Sequence, residues 1–252
     1  MRDLTRTGRH INSLIGKAVA DHNMIEEGDR ILVGVSGGKD SLTLMTLLKA
    51  IQGWAPVRFS LKAAHVRTDL ACGGSREEEI GRILDELEVE CHYTDTVKVT
   101  DDKGETSCFW CSWNRRKALF RLADAADCNK VALGHHKDDI AETMLLNLLY
   151  NGEISAMNPL QEMFKGKLHI IRPLCYVEEK RIRAFAGENG FPPDPGLCPF
   201  GEDSKRSFVK KMIREAEKSV PGVNIRTNIF RSLARIKPEY TRVDKISRDD
   251  DK

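Results

Sequence analysis

The stretch RILVGVSGGKDS at residues 30–41 decides the fold. Its first half, 30–35, is a short apolar run typical of a buried strand. A glycine-rich turn separates this run from a helical pattern over 42–51. Adjacent glycines let the backbone approach a ligand closely, and the N-terminus of the following helix attracts anions through its N–H groups and dipole. The sequence therefore predicts a phosphate-binding loop formed by Ser36, Gly37, Gly38, Lys39, Asp40 and Ser41.

Strand and helix patterns alternate on both sides of this loop. This alternation predicts an α/β fold, with a doubly wound parallel sheet that helices cover on both faces. The predicted strands cover residues 30–35, 59–66, 90–96, 130–134 and 168–171. The predicted helices cover residues 8–25, 42–51, 75–88, 112–126, 138–150, 176–189 and 204–218. The expected domains are an N-terminal helix at 1–27, a nucleotide-binding α/β domain at 28–190 and a C-terminal helical extension at 191–252.

The composition describes a soluble globular protein. Its 252 residues are 40% hydrophobic and 31% charged, with a formal net charge of +2. No apolar run approaches the ~18 residues that a membrane span needs, and the polar, basic N-terminus does not look like a secretory signal. We therefore expect a cytoplasmic protein without a membrane partner. Seven cysteines, an odd number, make a disulfide framework improbable.

A second polar motif, GHHKDDIAET at residues 134–143, follows the fourth predicted strand. The carboxyl ends of parallel strands open on one crevice, so this motif should face the phosphate loop. Asp138 or Asp139 would then offer carboxylate oxygens to Mg²⁺ shared with phosphate; the alternative for both is helix capping. The other candidates for nucleotide or substrate contacts are His65, Gly134, His135 and His136.

Three cysteines are candidate metal ligands. Cys108 and Cys111 form a C-x-x-C motif at the start of a helix, and Cys198 lies in an irregular loop after the α/β core. A single C-x-x-C motif fits a redox pair, half a zinc site or part of an iron–sulfur site. Three thiolates would leave one coordination position of a four-ligand metal site unfilled, and sulfur or substrate could bind there. Cys72, in a glycine-rich loop, is either structural or reactive, and core positions are predicted for Cys91, Cys128 and Cys175.

Together these motifs resemble the TtcA-like tRNA 2-thiocytidine synthetase family of PP-loop ATP pyrophosphatases. The resemblance covers roughly residues 8–245 and includes SGGKDS at 36–41, CFWC at 108–111, LGHHKDD at 133–139, IRPL at 171–174 and Leu197-Cys198. It implies that ATP adenylates a pyrimidine carbonyl of tRNA, most plausibly cytidine C2, and that sulfur then displaces AMP. It also implies Mg²⁺, a [4Fe-4S] cluster on Cys108, Cys111 and Cys198, and catalytic roles for Lys39, Asp40, Asp138 and Asp139.

The same resemblance implies partners. The expected ones are tRNA, a sulfur donor such as a cysteine desulfurase or free sulfide, and a second copy in a homodimer. Trp110 and Trp113 would stack a base or pack over the cluster. Residues 204–219 carry six Lys/Arg against two Glu, as a polyanion-facing surface or a solvated helix face would. The predicted RNA-binding residues are Arg115, Arg116, Lys205, Arg206, Lys210 and Lys211.

Three other functions stay open at this point. The first is a PP-loop ligase that uses no cluster, in which Cys108 and Cys111 would be a redox pair or carry a persulfide. The second is a non-catalytic carrier of nucleotide or sulfur. The third is a sulfurtransferase that acts on a free metabolite and forms AMP without RNA.

Overall fold

A six-stranded sheet forms the centre of the protein. The computed structural model describes residues 4–69, 77–100, 108–193 and 205–240. The strands are β1 (Arg30–Gly34), β2 (Ser60–His65), β3 (Cys91–Tyr93), β4 (Lys130–Ala132), β5 (Leu160–Met163) and β6 (Leu168–Ile171). They lie in the order β3-β2-β1-β4-β6-β5. The five strands from β3 to β6 in this order are parallel, and β5 pairs antiparallel with β6 at one edge.

Helices cover the sheet on both faces. The described residues form α1 (Arg6–Asp21), α2 (Lys39–Gln52), α3 (Glu77–Glu86), α4 (Cys108–Ala125), α5 (Lys137–Asn151), α6 (Glu179–Glu188), α7 (Lys205–Ser219) and α8 (Ile225–Ser232). A short 3-10 turn follows at Pro238–Tyr240. Within the part of the chain described above, none of these helices has the length and apolarity that crossing a membrane requires.

The side chains of β1 alternate between two buried clusters. Ile31 and Val33 pack in a large cluster with residues of α1, α2, α3 and α6. Leu32 points to the other face and packs in a smaller cluster with Leu119 and Ala123 of α4. Because successive side chains of a strand point to opposite faces, one apolar run supplies both cores. Burial of each large aliphatic side chain stabilises the fold by about 1.5–3 kcal/mol.

The C-terminal helices pack against α5. Val209 and Ile213, one helical turn apart, are the buried residues of α7. Helix α8 has no buried residue, but Thr227 accepts a hydrogen bond of 2.9 Å from Nζ of Lys137 in α5. The helices that follow the α/β core therefore contact the element that carries the second polar motif.

The fold confirms the predicted α/β class and adds two elements. The strand β5 and the helix α8 were not predicted from the sequence. Helix α4 begins at Cys108 rather than at residue 112, so the C-x-x-C motif occupies its first turn. The proposed domain boundaries stay a prediction, although Ile11 and Ile15 of α1 are fully buried in the large core cluster.

Candidate functional site

The two polar motifs lie at the point where the strand order reverses. The chain builds outward from β1 through β2 to β3, and then returns to place β4 on the other side of β1. Loops that follow adjacent strands on either side of such a point diverge and leave a crevice between them, where ligands bind. The SGGKDS loop follows β1, and the GHHKDD segment follows β4. The topology therefore brings together the two motifs that the sequence predicts to share a site.

The SGGKDS loop is folded into a compact turn. Gly37 has a φ of +82°, a left-handed conformation that side chains disfavour. The hydroxyl of Ser41 accepts a hydrogen bond from the backbone N–H of Ser36 at 3.1 Å and donates one to the carbonyl of Gly38 at 2.9 Å. Gly38 is the N-cap of α2 and provides no capping side chain. The positive end of α2 therefore points into the loop, where an anion would be stabilised.

Gly134 brings the second motif against this loop. A Cβ atom at position 134 would lie 3.1 Å from the backbone nitrogen of Ser41 and 3.1 Å from the carbonyl carbon of Asp40. Both atoms belong to backbone, which cannot swing away as a long side chain can. Any larger residue at position 134 would push the two motifs apart.

Lys39 forms ion pairs with two carboxylates in the crevice. Its Nζ lies 3.2 Å from Oδ2 of Asp40 and 3.2 Å from Oε1 of Glu179. Burial alone would raise the pKa of Glu179, but the charge and hydrogen bond of Lys39 outweigh it and lower that pKa to about 2. Glu179 is the first residue of α6 and was not predicted as a site residue, because nothing in its local sequence marks it.

Asp40 is a carboxylate of the phosphate loop with unused bonding capacity. Its Oδ1 is buried and makes no hydrogen bond within the described residues. Burial raises the pKa of Asp40, while His136 and Lys39 oppose that shift. Nε2 of His136 lies 3.7 Å from this Oδ1. An oxygen that is buried without a hydrogen bond is costly unless a ligand or cation completes it, so Asp40 fits a cation held between the loop and phosphate.

Asp139 and Asp138 already have protein partners. Asp139 and His136 form a capping box at the start of α5, in which each side chain accepts a hydrogen bond from the other residue's backbone N–H. Oδ2 of Asp138 accepts a hydrogen bond of 2.9 Å from the N–H of Glu179, and its Oδ1 lies 3.0 Å from Nε of Arg226. Helix capping is therefore the observed role of Asp139, and magnesium binding by either residue stays a prediction.

His135 and Arg172 line the β6 side of the crevice. Nε of Arg172 lies 3.4 Å from Nδ1 of His135. Burial is the main cause that lowers the pKa of His135 to about 4, so its imidazole is neutral at pH 7. Burial also lowers the pKa of Arg172 to about 10, with a further contribution from the nearby charge of Arg116. A neutral imidazole beside a buried guanidinium suits contact with a polar, uncharged substrate group.

His65 lies beside the phosphate loop on the β2 side. Its Nδ1 is 2.8 Å from the carbonyl oxygen of Val35, the residue that precedes Ser36. The ring is buried and meets Tyr93 edge-on at 6.1 Å. The predicted role of His65 in nucleotide binding stays a prediction, and its observed contact anchors the loop to β2.

Glu142 is a buried carboxylate that was not predicted as a site residue. It lies one turn after Asp139 on α5, is 2% exposed, and its Oε2 accepts no hydrogen bond from the described residues. Nζ of Lys210 in α7 lies 3.7 Å away. Burial, which outweighs the attraction of Lys210, raises the pKa of Glu142 to about 7. The only signal in the sequence was its place in the GHHKDDIAET motif.

The C-x-x-C motif places two cysteines one helical turn apart. Cys108 and Cys111 occupy the first turn of α4, and Cys111 is half-buried. The N-terminus of a helix favours the thiolate form of cysteine, which is the form that binds soft metals. Among the described side chains, no three potential ligands form a metal site. The third predicted ligand, Cys198, lies outside the described residues, as does Cys72.

The three remaining cysteines behave as core residues. Cys128 and Cys175 are buried, and Cys91 is half-buried against the large core cluster. Burial raises the pKa of Cys175 to about 12, which makes its thiol unreactive at neutral pH. The prediction of core positions for these cysteines is confirmed.

The predicted RNA-binding residues lie on two helices. Arg115 and Arg116 are exposed on α4, and Lys205, Arg206 and Lys211 are exposed on α7. Arg206 donates a hydrogen bond to Thr143 at 3.3 Å, and Nζ of Lys205 lies 4.6 Å from the ring centre of Tyr150. Lys210 is half-buried beside Glu142. Helix α7 contacts α5, which carries the second polar motif, and RNA binding by these residues stays a prediction.

Comparison with known proteins identifies the family. The PP-loop domain profile matches residues 6–194. The tRNA-cytidine(32) 2-sulfurtransferase of Pseudomonas syringae pv. syringae is 41% identical over 237 residues, which are 91% of this chain and 85% of that protein. The protein of the same name from Geobacter metallireducens is 41% identical over 240 residues, which are 92% and 91% of the two chains.

A solved structure shares the fold. The U34-tRNA thiolase NcsA from Methanococcus maripaludis, solved with its [4Fe-4S] cluster, superposes with a TM-score of 0.71 at 22% identity, and the match covers 92% of this chain and 80% of that one. At this identity the likeness establishes the fold alone. The sequence matches go further: this chain belongs to the PP-loop family and, within it, to the TtcA-like tRNA 2-thiocytidine synthetases.

Proposed function

We propose that the chain thiolates tRNA in an ATP-dependent reaction. ATP would adenylate the carbonyl oxygen of a pyrimidine, cytidine C2, and sulfur would then displace AMP. The observation that carries this proposal is the close approach of the two motifs at Gly134, where an added Cβ atom would lie 3.1 Å from backbone atoms of the phosphate loop. Relatives that share 41% of the sequence are named tRNA-cytidine(32) 2-sulfurtransferases, which supports cytidine as the target nucleotide.

The chemistry explains why a sulfurtransferase would need a phosphate loop. A carbonyl oxygen leaves poorly as hydroxide, whereas AMP is a good leaving group. The backbone of the SGGKDS loop and the positive end of α2 would hold the pyrophosphate end of ATP. Lys39 would exchange Glu179 for a phosphate oxygen and stabilise the charge that develops there. Asp40, through its unused Oδ1, would hold Mg²⁺, with Asp138 and Asp139 as the further candidates.

The second half of the reaction would use the cysteines. Cys108, Cys111 and Cys198 would hold a [4Fe-4S] cluster, which when bound would supply an open iron to deliver sulfur to the adenylated carbon. Neutral His135 would contact the polar edge of the base, and buried Arg172 would hold His135 in place at 3.4 Å. The name of the structural neighbour, a tRNA thiolase with a [4Fe-4S] cluster, is compatible with this assignment.

Mass spectrometry of tRNA nucleosides tests the function directly. Protein prepared without oxygen would be incubated with ATP, Mg²⁺, sulfide and tRNA that lacks thiolated nucleosides. We expect one 2-thiocytidine to appear, together with AMP and pyrophosphate. AMP formation that needs no RNA would instead indicate a sulfurtransferase for a free metabolite. Tight binding of ATP without AMP formation would indicate a carrier.

Cysteine variants test the cluster separately. For a cubane we expect about four iron and four sulfide per chain, and a brown colour, after anaerobic purification. Cys198→Ala should lose this iron and the thiolation activity, whereas Cys128→Ala, which alters a buried core thiol, should keep the iron. Full activity of Cys198→Ala would favour a PP-loop enzyme that uses no cluster.

The cellular partners are part of the same proposal. A cysteine desulfurase or free sulfide would supply the sulfur, and the enzyme would act in the cytoplasm as a homodimer. Sedimentation of the purified chain with and without tRNA measures the stoichiometry of the complex. Comparison of desulfurase and sulfide as donors in the nucleoside assay identifies the source of sulfur.

A further inference from the structure

A groove of about 650 Å³ lies between α4 and the turn that joins β5 to β6. We name it the α4 groove and define it by Trp113, Phe120 and Arg121 on one wall and by Phe164 and Lys167 on the other. It lies on the face of the sheet that α4 covers, because Phe120 packs against the smaller core cluster. No residue of the predicted nucleotide site lines it.

Two of the aromatic side chains that line the groove are about half exposed. Trp113 is 50% exposed and Phe164 is 55% exposed. Phe164 packs edge-on against Phe120, with ring centres 5.6 Å apart and an angle of 86° between the planes. Large aromatic side chains gain free energy from burial, so a pair held open in a groove marks a binding surface. Flat faces of this kind are what nucleic-acid bases stack on.

The rim of the groove is positively charged. Arg116, Lys117, Arg121 and Lys167 line it and are exposed, and Asp124 is the one carboxylate that lines it with them. Within the described ranges, Lys117, Arg121 and Lys167 form no salt bridge with a carboxylate. Exposed cations that outnumber the carboxylates around a groove are complementary to a polyanion.

The end of the groove nearest the start of α4 lies towards the candidate site. Trp113 follows Cys111 by two residues on α4. Arg116 is close enough to Arg172 for its charge to help lower the pKa of that guanidinium, after the effect of burial. Arg172 in turn contacts His135. Arg116 and Arg172 therefore connect the groove to the candidate site.

We propose that the α4 groove binds the RNA strand that flanks the target nucleotide. Bases would stack on Trp113 and Phe164, while Arg121 and Lys167 would contact the phosphates. The proposal rests on the proposed function, because it takes tRNA as the substrate. It extends that function by assigning the turn between β5 and β6, which the sequence did not mark, to substrate binding.

The affinity of the full chain for total tRNA tests whether the groove binds RNA. We would measure it by fluorescence anisotropy over a range of salt concentrations. We expect Arg121→Glu and Lys167→Glu each to raise the Kd about tenfold and to reduce the slope of log Kd against log salt by about one. Phe164→Ala should raise the Kd about five- to tenfold with the salt slope unchanged, because stacking releases no counterions. The matched control is Arg82→Glu, an exposed cation of α3 on the other face of the sheet, which should change the Kd less than twofold.

The outcomes separate the groove from the proposed function. If wild-type protein binds tRNA and all three groove variants match Arg82→Glu, the groove is not an RNA site and the proposed function stands. If wild-type protein binds no tRNA, both proposals fail. If the groove variants change the sedimentation of the free protein but leave tRNA affinity unaltered, the groove is a protein interface, which also overturns the proposal.

Chemical protection of wild-type protein gives a test that needs no variant. Acetylation of individual lysines would be followed by mass spectrometry with and without total tRNA. We expect tRNA to slow acetylation of Lys117 and Lys167 at least about threefold, and to leave Lys17 of α1 unprotected. Equal reactivity of all three lysines in the complex would overturn the assignment of the α4 groove to RNA.

Discussion

The guanidinium Nε of Arg226 lies 3.0 Å from Oδ1 of Asp138. Arg226 belongs to α8, and Asp138 lies in the first turn of α5 within the second polar motif. Arg226 also forms an ion pair with Glu217 of α7. One guanidinium therefore connects the two C-terminal helices to the acidic motif, so the C-terminal extension is a structural part of the site.

Removal of this guanidinium should destabilise the fold. Asp138 is 7% exposed, and without Arg226 its Oδ1 would be left with no charge partner. We expect Arg226→Met to lower the free energy of unfolding by about 2–3 kcal/mol, measured by urea denaturation. Lys218→Met is the control, since it breaks an exposed pair with Glu215 and should cost less than about 0.5 kcal/mol. Equal losses in the two variants would show that the buried pair contributes nothing beyond an exposed one.

Much of the fold was predictable because its decisive signals are local. The apolar run of β1 and the glycines after it mark a strand, a turn and a helix in twelve residues. The alternation of strands and helices then requires a parallel sheet, and in such a sheet the ends of β1 and β4 meet. The site motifs were found for the same reason, because each follows a strand directly.

What the sequence did not predict depends on contacts between distant segments. Strand β5 is at the sheet edge and only half-buried, so its residues LQEM lack an apolar pattern. Helix α8 is eight residues long and has no buried residue, so its apolar residues Ile225, Ile229 and Phe230 form only a short pattern. Glu179 joins the site only because α6 begins beside Lys39, and Arg226 only because α8 packs on α5. No short-range sequence pattern predicts that Glu179 or Arg226 lies beside these residues.

Lys39 should be needed for AMP formation. Its Nζ is held between Asp40 and Glu179 at the mouth of the phosphate loop, where it would meet the phosphates of ATP. We expect Lys39→Ala to slow AMP release about 100-fold in the presence of ATP, Mg²⁺ and tRNA. Lys49→Ala changes the same residue type in the last turn of the same helix and should keep at least half of the activity. An active Lys39→Ala enzyme would remove this residue from the catalytic machinery.

Gly134 should control ATP binding through the shape of the backbone. The Cβ of Gly134→Ala would lie 3.1 Å from backbone atoms of Asp40 and Ser41, so the phosphate loop would have to move by a few tenths of an ångström. We expect the KM for ATP in the pyrophosphate-release assay to rise about tenfold. Gly16→Ala is the matched control, because its Cβ meets no atom within 4 Å on α1 and it should stabilise the protein by about 0.5–1 kcal/mol. An unchanged KM for Gly134→Ala would mean that the two motifs tolerate separation.

Glu142 should make stability depend on pH. Burial raises the pKa of its carboxyl to about 7 in the folded chain, against an ordinary value of 4.5. The folded chain therefore keeps a proton that the unfolded chain releases near pH 4.5. The stabilisation associated with that proton is complete below pH 4.5 and is lost as the pH rises through 7, where the buried carboxylate has Lys210 at 3.7 Å as an ion-pair partner.

The variant Glu142→Gln keeps the shape of the side chain and removes the titration. We expect its free energy of unfolding, relative to wild type, to increase by about 2–3 kcal/mol between pH 4.5 and 8, measured by urea denaturation in steps of half a pH unit. Comparison with wild type at each pH cancels the other titrating groups. Glu215→Gln should show no such increase between pH 4.5 and 8, because Lys218 lowers the pKa of that exposed carboxylate and its titration falls at more acidic pH. A constant difference between Glu142→Gln and wild type across this range would mean that Glu142 ionises normally and that α7 does not exclude water from it.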